Sequence, residues 1–172
     1  DEAVQTYDTN TKMSPPLRSR DDIDAIIEAL KDGTIDVIAT DHAPHTPDEK
    51  SMAFDCAPNG VVGLETSLGV MLTHFYHSGC LQPLDIIRLM SSRPAEIFKL
   101  KASGNLGVGQ RADVTVIDPE LAWTVEPAQF KSKSRNTPFK GQTLKGKAVY
   151  TFANGRCLFQ QAEAPGKALA SK

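Results

Sequence analysis

Ile35-Asp36-Val37-Ile38-Ala39-Thr40 runs directly into Asp41-His42-Ala43-Pro44-His45, and the fold turns on how this stretch reads. The first half is a short apolar run, the pattern of a buried strand. The second half places a carboxylate at the strand's C-terminal tip and an imidazole shortly beyond it. That arrangement lets an α/β barrel hold a metal ion and move a proton at the mouth of the barrel. Pro44 stiffens the turn, so His45 is held at a fixed offset from Asp41. Asp and Pro are also ordinary turn residues, so the surrounding sequence must carry the rest of the argument.

Upstream, Ile23, Ile26, Ile27 and Leu30 recur at helical spacing, which predicts a helix from about Arg20 to Lys31. Ser19 or Asp21 caps it, acidic residues suit its N-terminal end, and Gly33 stops it. A helix followed after a short link by a buried strand is the order of a barrel wall. Downstream, residues 41–62 show no periodicity. A loop longer than ~12–15 residues in a compact domain is usually functional or disordered, and this one reads as a substrate-contact loop or lid.

Three helices are expected next. One spans about Gly63–His77 with Leu64, Leu68, Met71, Leu72 and Phe75 inward, one follows Pro83, and a short one follows Pro94. After Leu100 the period changes. Residues 112–118 and 148–152 alternate as strands, and Asn154-Gly155 turns the second into Arg156-Cys157-Leu158-Phe159, a strong hairpin signal. The expected organisation is a barrel portion over 1–100, a small antiparallel accessory sheet over 101–160 and a flexible tail over 161–172. The fold class is therefore α/β: the C-terminal fragment of a (β/α)8 barrel plus a small antiparallel β accessory domain.

Composition bounds the partners. The chain has 172 residues and a formal net charge of −2, which gives no electrostatic footprint for nucleic acid or anionic membrane. No apolar run approaches the ~20 residues of a membrane span. Cys56, Cys80 and Cys157 are scattered and form no metal-binding or disulfide pattern, which fits a reducing cytoplasm. A complete barrel takes at least ~200 residues, so the chain is expected to be a piece of a longer protein whose N-terminal part completes the barrel.

Four segments together resemble one family. Thr40-Asp41-His42-Ala43-Pro44-His45-Thr46-Pro47 is similar to the last-strand motif of dihydroorotases in the amidohydrolase superfamily. Lys12-Met13-Ser14-Pro15-Pro16-Leu17-Arg18 resembles their K-x-N-P-P-L-R segment. Ala57-Pro58-Asn59-Gly60-Val61-Val62-Gly63-Leu64-Glu65-Thr66 resembles A-P-F-G-x-x-G-L-E-T. Gly104 through Asp113 resembles the glycine-rich lead into the family's C-terminal sheet. Hydantoinases and allantoinases, the related cyclic amidases, carry a small residue or cysteine where Ala43 and His45 stand.

The resemblance implies a zinc-dependent hydrolase of a cyclic amide, with two zinc ions in the intact enzyme. It would interconvert N-carbamoyl-L-aspartate and L-dihydroorotate in pyrimidine biosynthesis. Asp41 is the implied metal ligand and catalytic proton carrier. Ser14, His45, Asn59 and Gly60 are the implied substrate contacts. Ser14 stands where the family has Asn, and it lacks an amide donor. Asn59 stands where the family has Phe, a position that acts through its backbone. The family's remaining ligands include a His-x-His pair, and no His-x-His occurs in this sequence. The fragment is accordingly expected to be inactive alone. A homodimer or aspartate transcarbamoylase is the implied partner in addition to the small-molecule substrate. A non-catalytic scaffold of that transcarbamoylase and another cyclic amidase are the rival readings.

His42, adjacent to Asp41, should serve packing or support of its neighbours. His74 and His77 share a helix face behind the wall and read as structural. Arg18 suits either a substrate carboxylate or an internal ion pair. Glu65 suits a helix N-terminus, and Phe54 and Trp123 suit packing.

Overall fold

A computed structural model describes residues 1–162 of the chain. Helix α1 spans Arg20–Asp32. The Ser19 side chain accepts from the Asp22 backbone N–H and Gly33 closes the helix at φ 83°, a cap of the kind worth ~1 kcal/mol. The predicted core face is only partly used. Leu30 is buried, whereas Ile23 and Ile26 are about two-fifths exposed. An apolar stripe buries only where another element lies on it, and the described residues cover α1 at its C-terminal end.

Residues 35–40 form no paired strand, contrary to the sequence reading. A parallel barrel strand takes its ladder bonds from neighbours on either side, and no neighbouring strand lies alongside it among the described residues. The segment is held instead from the helical side. The Ile38 N–H donates to the Leu89 carbonyl at 3.0 Å, and Arg93 Nε meets Asp36 at 2.6 Å. Ile35 and Ile38 pack against buried Leu30, Met71, Leu72, Leu81, Ile86 and Leu89.

The loop that follows carries one short helix, α2 (Pro47–Lys50), with a reciprocal capping box between Thr46 and Glu49. Helix α3 (Ser67–Met71) widens into a π-helical turn over Leu72–Tyr76. It starts four residues later than its apolar pattern suggests, and Leu64 is exposed. Residues 64–66 form a turn instead, with the Thr66 and Ser67 N–H groups both reaching the Gly63 carbonyl. Helix α4 (Pro83–Ile87), a second wide turn over Arg88–Ser92 and α5 (Arg93–Ile97) follow one another without a break. The second and third predicted helices are thus one continuous unit. Ile86 and Leu89 are buried in it, and Leu84 and Ile87 face outward.

The C-terminal half is a three-stranded antiparallel sheet in the order β1 (Val114–Thr124), β2 (Thr143–Ala153), β3 (Arg156–Gln160). Asn154 and Gly155 both adopt positive φ, 48° and 74°, as a two-residue type I′ turn requires. The β1–β2 register shifts between Asp118 and Ala122. Pro119 lies there, and it has no N–H for the ladder. Its carbonyl accepts from His77 Nε2 at 2.8 Å, a structural role for that histidine. Val62 and Val70 share a second core with Val125, Phe130 and Leu144, so the loop after the site and the sheet bury one another. Trp123 packs there too, with Nε1 donating to the Gly146 carbonyl at 3.1 Å. Most of the expected tail lies outside the described residues.

Candidate functional site

The site is assembled from two chain segments, 41–46 and 57–63, laid side by side. The Ala43 N–H donates to the Val61 carbonyl at 2.9 Å. Gly60 sits where the two segments press together. Its φ is +116°, and a Cβ built there would lie 2.5 Å from the Ala43 Cβ and 3.5 Å from His45 Nε2. Glycine is therefore required both by conformation and by space.

His45 is the most constrained of the candidate residues. Its Nε2 lies 2.9 Å from the Asn59 carbonyl. A carbonyl only accepts, so Nε2 carries the hydrogen. Nδ1 faces Glu49 at 3.7 Å, beyond hydrogen-bond range. The Glu49 carboxyl is held below its ordinary range by the Thr46 backbone N–H first and the Thr46 hydroxyl second. The His45 ring is thus bonded to the Asn59 carbonyl and lies beside Gly60.

A third segment lies beneath them. The Gly60 N–H donates to the Lys12 carbonyl at 2.9 Å, which ties the segment bearing Ser14 to the loop. Lys12 Nζ reaches the carbonyls of Asp55 and Ala57, at 2.9 and 2.6 Å. Lys50 Nζ, on a buried side chain, reaches those of Thr9 and Pro58, both at 2.9 Å. Burial lowers the Lys50 ammonium's pKa, and the nearby Lys12 charge lowers it further. Phe54 packs edge-on to Tyr7 and lies 5.5 Å from Lys12 Nζ. Ser14 itself is exposed. No hydrogen bond reaches its hydroxyl among the described residues.

Asp41 is exposed and left-handed, with φ 44°. Aspartate tolerates that conformation better than most residues, and such outliers concentrate at functional sites. Next to it, His42 is turned the other way. Its Nδ1 accepts from the Gly63 N–H at 3.1 Å and, more weakly, from Leu64 at 3.4 Å, so it caps N–H groups ahead of α3. His42 Nε2 lies 3.4 Å from Ser132 Oγ, and Glu65 Oε1 accepts from the Ser132 N–H at 2.7 Å. Burial works to raise the Glu65 pKa, but the hydrogen bonds with Ser132 outweigh it and the net direction is down. His42 and Glu65 therefore brace the site rather than face it.

A sequence model of the Amidohydrolase family matches residues 8–158. The chain belongs to the amidohydrolase family. A dihydroorotase of Pelotomaculum thermopropionicum is 51% identical over 160 residues, which cover 93% of this chain and 37% of that protein. A dihydroorotase of Geobacter sp. (strain M21) is 54% identical over 160 residues, with the same shares of each. Among solved structures, the L-hydantoinase (dihydropyrimidinase) of Arthrobacter aurescens superposes with TM-score 0.88 at 30% identity, over 96% of this chain and 38% of its own. The D-hydantoinase (dihydropyrimidinase) of Thermus sp. gives 0.81 at 25% identity, over 92% and 36%. This amidohydrolase chain thus spans little more than a third of the curated relatives it matches. Its helices and sheet are those of the C-terminal part of a barrel amidohydrolase with its antiparallel accessory sheet.

Zinc binds through three or four protein ligands. No three His, Cys, Asp or Glu side chains converge among the described residues. Asp41 offers one carboxylate donor, so the residues present do not make a zinc site by themselves. No helix among the described residues is long and apolar enough to cross a membrane. Arg18 is exposed and forms no ion pair among the described residues.

Sequence reading missed the residues that clamp the loops. Asn136 and Ser134 are buried and bond to Ala43, His45 and Gly60. Lys50 is buried beneath the loop. The available signal for the first two was the long aperiodic stretch between β1 and β2, a length that often marks a working loop.

Proposed function

We propose that this chain is the part of a dihydroorotase that carries the proton-transferring aspartate and the substrate loop. The reaction is the reversible hydrolysis of L-dihydroorotate to N-carbamoyl-L-aspartate. The bond between His45 and the Asn59 carbonyl, beside Gly60, carries the reading, together with about 50% identity to proteins named dihydroorotase. Water attacks the ring carbonyl carbon, and its proton passes to the Asp41 carboxylate. The carbon–nitrogen bond breaks as Asp41 returns that proton to the ring nitrogen. His45 and the backbone groups of Asn59 and Gly60 hold the substrate's polar edge, the His45 Nε2–H exchanging the Asn59 carbonyl for the substrate carboxylate when substrate binds. Ser14 contributes a hydroxyl at the rim.

Zinc, two ions in the assembled enzyme, is the cofactor of this reading. One ligand is Asp41, and the other donors come from outside this chain's residues. The chain by itself is then inactive and needs the N-terminal part of the barrel. The reading places the enzyme in the cytoplasm, with a homodimer or aspartate transcarbamoylase as its macromolecular partner.

The test is turnover of L-dihydroorotate by a full-length chain carrying this sequence, with hydantoin as the comparison substrate. Hydrolysis of dihydroorotate but not hydantoin is expected. Preference for hydantoin would favour a hydantoinase, which the superposition on the Arthrobacter enzyme makes the natural second reading. No turnover of either, with metal bound, would favour a scaffold.

A further inference from the structure

Asn136 comes from the loop between β1 and β2, 91 residues away from His45 in sequence. It is only 5% exposed. Its side chain uses both amide donors and the oxygen. Oδ1 accepts from the His45 backbone N–H at 3.2 Å. Nδ2 donates to the Ala43 carbonyl at 3.0 Å and to the Gly60 carbonyl at 3.1 Å. The amide orientation is forced, because the reverse would set an oxygen against two carbonyl oxygens. The Asn136 main chain adds a fourth link, its carbonyl accepting from the Val62 N–H at 2.9 Å. Beside it, the hydroxyl of buried Ser134 donates to the His45 carbonyl.

These bonds have a common feature. They run to both segments that carry the substrate contacts, 43–45 and 60–62, and they cross the gap between them. One side chain therefore sets how far the His45 backbone stands from that of Gly60. A hydrophobic residue could fill the same volume, but only an amide presents one acceptor and two donors to this set of partners. We propose that Asn136, with Ser134 beside it, is a positioning residue that fixes the spacing of His45 and Gly60 and thereby the affinity for substrate. Asn136 touches no reacting atom in this scheme and acts through His45. The inference rests on the dihydroorotase reading for its substrate.

The test uses a full-length chain carrying this sequence, with L-dihydroorotate as substrate. Asn136→Ala should raise KM about tenfold, the worth of one to two neutral hydrogen bonds, with kcat within about threefold of wild type. In a His45→Ala background the same change should raise KM by a clearly smaller factor, because one of the two groups it positions is gone. Asn136→Asp keeps the shape but loses both donors, so it should be no better than Ala. A KM within twofold of wild type for Asn136→Ala would overturn the proposal. So would an equal penalty with and without His45, or a wild-type KM for Asn136→Asp, since either would reduce Asn136 to packing.

If Asn136→Ala does not fold, Ser134→Ala decides. It removes one hydroxyl and should raise KM several-fold at unchanged kcat, and an unchanged KM overturns the inference. If the unsubstituted enzyme does not turn over dihydroorotate, the functional reading fails first. Positioning is then read from amide hydrogen exchange at 43–45 and 60–62. Exchange there should quicken selectively in Asn136→Asp, and unchanged exchange overturns the proposal.

Discussion

Replacing Gly60 with alanine puts the loop packing to a direct test. The new Cβ would stand 2.5 Å from the Ala43 Cβ, whereas carbon atoms rest at about 3.5–4.0 Å. The two segments must therefore part by roughly 1–1.5 Å. The Ala43–Val61 bond of 2.9 Å and the Asn136 bonds of 3.0 and 3.1 Å span that gap, and a shift of this size takes them past hydrogen-bond range. The φ of +116° adds strain of about 1–3 kcal/mol for a residue with a side chain. A misplacement of ~1 Å in a positioning group can cost about 100-fold. We expect kcat/KM for L-dihydroorotate to fall by about that factor in the full-length enzyme, mainly through KM. Adding Ala43→Gly removes the clashing carbon but not the strain. The double variant should regain most of the activity while its thermal midpoint stays depressed. The comparison needs steady-state kinetics and a melting curve on the wild type, the two single variants and the double variant. Gly60→Ala with kcat/KM within threefold of wild type would refute the reasoning, as would a double variant no better than Gly60→Ala.

Three further outcomes are expected. Asp41→Asn should lower kcat by ~10²–10⁴-fold with an unchanged melting midpoint, since Asn tolerates the left-handed backbone as Asp does; single-turnover kinetics measure the chemical step. His45→Ala should raise KM for dihydroorotate by roughly 10- to 150-fold, the worth of a hydrogen bond to a charged group, and should spare an analogue lacking the carboxylate; equal losses on both would reassign His45 to loop structure. Glu49 has a folded pKa below its usual value of about 4.3, so the stability it lends to α2 is present above that value and is lost as pH falls through the lower folded pKa. The Thr46 amide shift, followed by NMR, should titrate in that acid range in the wild type and stay flat in Glu49→Gln, where an acceptor remains but no charge does.

Local features were legible because local chemistry dictates them. Ser19, the apolar repeat and Gly33 mark both ends of α1 without reference to any other element. The Asn154-Gly155 hairpin follows from two residues that tolerate positive φ. The glycine of the Asn59-Gly60 motif answers a steric need: nothing larger than hydrogen fits against Ala43. His42 was set aside from chemistry because adjacent residues at a strand end point apart, and its ring does turn to Gly63 and Leu64.

What the sequence determined by itself was therefore the kind of element at each place and the family pattern of the loop. The tertiary structure decided which elements are completed and what holds the loop in shape. Residues 35–40 have a strand's composition, yet a strand is a relation between neighbours, and no partner lies beside them among the described residues. Ile23, Ile26 and Leu84 have core character, yet burial depends on what packs against them. Asn136 looked like one polar residue in a long loop. Its three side-chain bonds reach partners 76 to 93 positions away, and no periodicity or spacing encodes a contact at that separation. Hydrogen bonds are short and directional, so only the folded chain, by bringing the β1–β2 loop over segments 43–45 and 60–62, could show that this amide joins them.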